Sequence, residues 1–218
     1  MKVIGADYAV EVQGVYKSFG NEMVLEDINL NLKRGLIHGI IGRNGCGKTV
    51  LMKCILGFFK PDHGQITVFG KQLGKDCGFA PDTGMIIETP GFIDTESGLS
   101  NLKYLSGLGN RMRPGMPPGE AMELVGLDPR NRKPVSKYSL GMRQRLGIAQ
   151  AIMERPSLLI LDEPMNGLDN SGVEDIRRLL CSLREQGTTV LLASHNPLDI
   201  STLCDTVFGM DGGKLQRL

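Results

Sequence analysis

Eight consecutive residues, Gly42-Arg43-Asn44-Gly45-Cys46-Gly47-Lys48-Thr49, restrict the possible folds of this chain more than any other feature. They stand between a short, mostly apolar run, Leu36–Ile41, and a longer apolar stretch that begins at Lys48. By length and composition the first reads as a buried strand and the second as a helix. The spacing GxxxxGK[ST] between a strand and a helix is that of a loop that cradles phosphate. Glycines let the backbone turn tightly, so several N–H groups can converge on one anion. The helix adds its positive end to the same anion. In such a loop Lys48 reaches the β- and γ-phosphates of ATP, and the Thr49 hydroxyl ligates Mg²⁺. Gly42, Arg43, Asn44, Gly45, Cys46, Gly47, Lys48, Thr49 and Val50 are therefore the expected nucleotide-binding segment.

The rest of the chain alternates strand-like and helix-like patterns around this unit. Val10–Val15 and Val24–Leu32 alternate apolar and polar residues and read as half-buried strands. Gln65–Phe69 reads as a further strand, and His63 as part of the turn before it. From about Gly84 to Pro134 the chain is rich in Gly and Pro, with helical patterns at Ser100–Leu108 and Glu120–Val125 and a loop at Asn110–Gly119. That stretch reads as a small helical insertion. Regular order then returns: a helix at Ser139–Glu154, a buried strand at Leu158–Leu161, an amphipathic helix at Gly172–Gln186, a strand at Thr188–Ala193, a short helix at Leu198–Leu203 and a strand at Thr206–Met210. The expected fold is α/β: a P-loop NTPase core with a mostly parallel sheet covered on both faces, an added antiparallel β portion and a helical insertion. One domain spans residues 1–218, with a core at about 1–88 and 157–218 and a helical subdomain at about 89–156.

A second chemical feature follows the strand Leu158–Leu161, which ends in Asp162-Glu163. Neighbouring strand residues point in opposite directions, so two adjacent carboxylates can divide two tasks. Asp162 is expected to hold Mg²⁺ through its water shell, and Glu163 to face the attacking water. Composition narrows the partners. Lys and Arg number 25 against 24 Asp and Glu, a net charge of +1. A non-specific nucleic-acid binder carries a clear basic excess, so no nucleic acid is expected. The five cysteines have neither CxxC nor Cys/His zinc spacing and read as reduced thiols of a cytosolic protein. The N-terminus lacks an apolar core of signal-peptide length. No apolar run approaches the ~18 residues needed to cross a bilayer, so the chain is not itself a membrane-spanning pump.

Between the two phosphate-site motifs lies Tyr138-Ser139-Leu140-Gly141-Met142-Arg143-Gln144-Arg145. With the Walker A and Walker B motifs it resembles the signature of ATP-binding cassette (ABC) ATPases, whose usual form is LSGGQ followed by xQR. Ser139, Gly141, Gln144 and Arg145 match; Tyr138, Leu140 and Met142 depart. The resemblance covers almost the whole chain. It implies a head-to-tail dimer in which Ser139 and Gly141 of one subunit complete the ATP site of the other. It also implies that Phe19 stacks on adenine (Tyr16 being the weaker candidate by spacing), that Asp169 lies in the loop joining the two sites, and that His195 is the switch histidine. Glu88 occupies the place of a usual Gln that touches Mg²⁺ and the lytic water. The segment around it, Ile86-Ile87-Glu88-Thr89-Pro90-Gly91-Phe92, resembles the cassettes of exporters of lantibiotics, bacitracin-like peptides and related drugs.

The resemblance implies catalytic roles for Glu163, His195 and Lys48, and Mg²⁺ ligation by Thr49, Asp162 and Glu88. It implies two partners: a second ABC ATPase subunit, identical or different, and a separate transmembrane permease subunit on whose cytoplasmic face the chain sits. The basic cluster Arg130, Arg132, Lys133 and Lys137 reads as a solvated face. The rival function is an ABC-type ATPase switch acting on nucleic acid or ribosomes. Such proteins usually carry two cassettes or a long coiled-coil insertion, and neither is present in this sequence. A small-molecule P-loop kinase would leave the signature and His195 unexplained.

Overall fold

The computed structural model describes residues 7–108 and 114–218. In chain order the elements are β1 (Tyr8–Phe19), β2 (Glu22–Lys33), β3 (Ile37–Ile41), α1 (Lys48–Leu56), β4 (His63–Val68), β5 (Lys71–Gln72) and β6 (Thr83–Ile86). They continue with α2 (Gly98–Leu108), α3 (Pro118–Leu124), α4 (Leu140–Ile152), β7 (Leu158–Asp162), α5 (Asn170–Glu185), β8 (Thr189–Ser194), α6 (Pro197–Leu203), β9 (Thr206–Asp211) and β10 (Lys214–Arg217). The larger sheet has the order β10-β9-β3-β8-β7-β6; all its pairs are parallel except β9 with β10. The smaller sheet, β2-β1-β4-β5, is antiparallel.

The apolar runs read as buried strands are continuous because both faces of the large sheet are covered. In β7, Leu159 and Leu161 face one apolar cluster with Leu146 of α4 and Ile176 and Leu180 of α5. Leu158 and Ile160 face the other, with Leu51, Met52 and Ile55 of α1 and the inner side of the antiparallel sheet. The helical segment has no separate core: Leu102, Met122 and Val125 belong to the same cluster as Leu159 and Leu161.

Several elements depart from the sequence reading. His63 begins β4 and does not lie in a turn. Helix α3 starts at Pro118, taking the end of the expected loop, since proline fits the first turn of a helix. The start of that loop, Asn110–Arg113, lies outside the described residues. Strand β10 (KLQR) offers only one apolar residue, so alternation could not signal it; it forms by pairing with β9. For the site, the decisive fact is that β3, β8 and β7 are adjacent and parallel. Their carboxyl ends therefore open on one edge, where ligands of open α/β sheets bind.

His38 lies in β3 and is 1% exposed. Its Nε2 is 2.9 Å from the Lys33 carbonyl and its Nδ1 is 2.5 Å from Thr206 Oγ1. A carbonyl only accepts, so Nε2 carries the hydrogen and Nδ1 accepts from the threonine. Burial holds the imidazole below its ordinary value of 6.5, against the opposing pull of the Lys33 carbonyl. The unfolded chain then binds a proton near pH 6.5 that the native chain refuses. Lowering the pH through that value favours unfolding, at up to about 1.4 kcal/mol per pH unit for one proton. Denaturant unfolding between pH 7.5 and 5.5 should show this loss, and His38→Gln should reduce the slope. An equal slope in the variant would contradict it.

Candidate nucleotide site

The loop after β3 turns directly into α1. Gly47, at the N-cap, adopts φ 110°, a left-handed conformation that glycine enters without a steric penalty. A Cβ there would come within 2.7 Å of Met210 Cε and 3.0 Å of the Val24 carbonyl oxygen. A Cβ at Gly42 would collide with the Met210 carbonyl. Met210 of β9 is thus the floor on which the loop rests, a contact that the motif itself does not signal. Lys48 is buried, and its ammonium donates to the carbonyls of Gly42 at 2.8 Å and Arg43 at 3.1 Å. Cys46 is buried beside Gly42 and does not line the cleft described next.

A cleft of about 300 Å³ opens beside the loop, lined by residues that include Val24, Asn44, Lys48, Thr49, Asp162 and Glu163. Gly45, Gly47 and Val50 also line it. The Thr49 hydroxyl donates to Asp162 Oδ2, joining the end of β7 to the start of α1. Glu163 follows at φ 50°, and its N–H donates to the Ala193 carbonyl at 2.9 Å. His195 Nδ1 is 2.8 Å from Glu163 Oε2; a carboxylate only accepts, so the ring nitrogen donates. Glu163 Oε1 is buried and makes no hydrogen bond within the described chain. An orphaned carboxylate oxygen is costly unless a ligand or water completes it.

The residues after β8 are anchored from below. Ser194 Oγ donates to Asp199 Oδ2 at 3.4 Å and accepts from the Asn196 N–H at 3.0 Å. Asp199 is buried and ion-paired with Arg177 of α5 at 2.5 Å. His195 itself stays more than half exposed.

Other expected site residues stand apart from this cleft. Ser139 caps α4, accepting from the Met142 N–H at 3.2 Å. Asp169 caps α5, and the Gly172 N–H it accepts at 3.0 Å, with the Ser171 hydroxyl, holds its carboxyl below the usual range. Gly141 meets the backbone of Gly167, near this cap. Phe19 is 45% exposed and packs edge-on against Phe59, with centroids 5.2 Å apart. Tyr16 meets His63 edge-on instead. Glu88, at φ 59°, pairs with Lys53 at 2.6 Å and lines a neighbouring cleft of about 260 Å³ with Met85, Thr89 and Gln150. Its carboxylate is engaged by Lys53 there, and Glu88 does not line the first cleft.

The donor set of the first cleft fits a magnesium nucleotide. It combines a lysine ammonium, loop glycines, a hydroxyl, a carboxylate and one unsatisfied carboxylate oxygen. Among the described residues no three His, Cys, Asp or Glu side chains converge as a metal cage. Mg²⁺ in phosphate sites is held by one or two protein oxygens plus water and substrate, so none is needed.

Residues 25–166 match the family model described as ABC transporter. The chain belongs to the ABC transporter family. The cassette is 42% identical over 212 residues to the bacitracin transport ATP-binding protein BcrA of Enterococcus faecalis, covering 96% of this chain and 68% of that protein. It is 32% identical to the lantibiotic transport ATP-binding protein SrtF of Streptococcus pyogenes, covering 94% of this chain and 88% of that one. Among solved structures, cbiO1 from Clostridium perfringens, part of an ABC transporter complex, superposes with a TM-score of 0.80 at 28% identity, covering 96% of this chain and 87% of that chain. A bacterial ABC transporter cassette solved as a dimer superposes at 0.84 and 23% identity, covering 95% and 97% of the two chains, and supports the fold. The chain is an ABC ATPase, the ATP-binding subunit type of a transporter. Among the described residues no helix is long and apolar enough to cross a membrane.

Proposed function

We propose that this cassette hydrolyses ATP to drive export of a peptide antibiotic or related drug through a separate membrane subunit. The observation that carries the hydrolytic part is the meeting of Lys48, Thr49, Asp162 and the half-satisfied Glu163 at one cleft. The cargo class is supported by the bacitracin and lantibiotic transport relatives at 32–42% identity. The alternative, a switch on nucleic acid or ribosomes, has no support in those relatives.

In this reading Lys48 and the loop N–H groups hold the phosphates, and the exposed Phe19 offers its ring to the base. Thr49 and Asp162 would hold Mg²⁺, which supplies charge neutralisation on the phosphates when bound. Glu163 accepts a proton from water as its oxygen attacks the γ-phosphorus, and the bond from that phosphorus to the β–γ bridging oxygen breaks. His195 fixes the Glu163 carboxylate through Nδ1 and leaves its exposed edge to the γ-phosphate. Ser139 and Gly141 of a second cassette, identical or different, close over the nucleotide, with Asp169 beside them. The core at about 1–88 and 157–218 then moves against the helical part at about 89–156.

Docking of the membrane subunit is assigned to the surface around Glu88. There the exposed Phe58 and Phe79 rings pack edge-on, and Phe58 and Met85 line the cleft that holds the Glu88–Lys53 pair. Through that subunit the cassette sits on the cytoplasmic face of the membrane. The test is capture of tagged Glu163→Gln protein from native membranes with MgATP. A stoichiometric polytopic membrane protein is the expected companion. Recovery with ribosomes or nucleic acid, and no membrane protein, would contradict the reading.

A further inference from the structure

We infer that Gln144 is a positioning residue for Glu163, so that the first turns of α4 set the geometry of the hydrolytic carboxylate in their own chain. Gln144 is a buried amide near the start of α4, where Leu140 is exposed and Gly141, Met142, Arg143 and Arg145 are only partly buried. Its Nε2 donates to the Pro164 carbonyl at 3.0 Å and reaches the Glu163 carbonyl at 3.4 Å. The two acceptors are the first two carbonyls after the Glu163 α-carbon, at the start of the turn that leaves β7.

That backbone needs holding. Glu163 sits at φ 50°, a region that a residue with a Cβ occupies only when its surroundings over-determine it. Two backbone bonds contribute: Glu163 N–H to the Ala193 carbonyl at 2.9 Å, and Asn166 N–H to the Glu163 carbonyl at 3.2 Å. Gln144 adds a side-chain donor from a different element. Its neighbours on α4 bind the continuation of the same segment. A Cβ at Gly167 would come within 2.5 Å of Leu140 Cγ, and one at Gly141 within 2.7 Å of the Gly167 oxygen. Arg145 pairs with Asp175 at 3.3 Å while donating to the Val125 carbonyl at 2.5 Å. From Leu140 to Arg145 the helix thus lies along residues 163–175. Whatever displaces the N-terminus of α4, where Ser139 presents its cap, also displaces the peptide that aims Glu163.

Gln144 does not touch the reacting atoms, and the inference rests on the proposed role of Glu163 as base. The test is MgATP turnover by the full chain carrying Gln144→Leu or Gln144→Glu, each alone and combined with Glu163→Gln. Both substitutions remove the donor, and Gln144→Glu keeps the side-chain size, so it reports even if the leucine variant misfolds. The expected result is a fall in kcat of about tenfold with KM within about twofold, and no further fall in the Glu163→Gln background. Undiminished kcat, a rise in KM alone, or the same loss in the Glu163→Gln background would overturn the inference. A normal rate in Glu163→Gln alone would overturn the base role itself. A slow Glu163→Gln with normal Gln144 variants would leave the base standing and remove only the role of Gln144.

Discussion

Replacing Glu163 by Gln should lower ATP turnover by about 10²–10⁴-fold while ATP still binds. The substitution preserves side-chain length, and the amide oxygen can still accept from His195 Nδ1, now 2.8 Å from Oε2. It removes the one property the mechanism needs, a carboxylate able to take a proton. The other carboxylate oxygen, Oε1, is buried with no hydrogen-bond partner among the described residues, which leaves it free for water. The phosphate-holding groups are untouched, so affinity should change little. Steady-state phosphate release paired with equilibrium binding of a fluorescent ATP analogue reads both quantities. A loss below about tenfold would remove Glu163 from the role of general base.

Lys48→Ala should act on binding. The ammonium already lies inside the loop, donating to two carbonyls of the phosphate-binding turn, and little of it reaches solvent. Its charge is therefore held where phosphate oxygens converge, at no further cost of ordering the side chain. Hydrogen bonds to charged groups are worth about 1.5–3 kcal/mol each, so loss of this ligand should weaken ATP binding about 10²-fold. A titration with the same analogue checks it, with the thermal midpoint of unfolding as control. Intact affinity in a folded variant would contradict the assignment of the phosphate loop.

The parts of the site that were legible in the sequence are those encoded locally. The β3–loop–α1 unit is signalled by an apolar run, glycine spacing and a lysine within a dozen residues. Asp162-Glu163 is signalled by the strand that it ends. Ser139 was legible as a cap because capping is a matter of adjacent residues. What escaped depends on contacts between distant segments. Met210 supports the loop from β9, and Val24 lines the cleft from β2, yet neither belongs to a motif. Gln144 matches the signature, but its contact with the turn after β7 depends on how α4 packs there. The resemblance implies a metal-touching role for Glu88 from its place in the linear order. Linear order does not show that its backbone takes a positive φ or that its carboxylate pairs with Lys53.

The two glutamates illustrate the physical difference. Both adopt left-handed backbone angles, 59° at Glu88 and 50° at Glu163, and both leave a strand of the large sheet. Glu163 is anchored at its own peptide and meets His195 across the sheet edge. Glu88 is largely exposed and faces the cleft beside Phe58 and Met85. One is held on both sides by the chain, the other is held by a single ion pair at the surface.

In the proposed cycle two cassettes close around ATP and Glu163 then hydrolyses it. The most direct test of that cycle is the nucleotide content of the complex captured through tagged Glu163→Gln protein from membranes with MgATP, after rapid removal of free nucleotide. Retention of unhydrolysed ATP at about one molecule per cassette, together with two cassettes per complex, is the expected result. A complex holding a single cassette, or one that retains no ATP although the chain is folded, would contradict it.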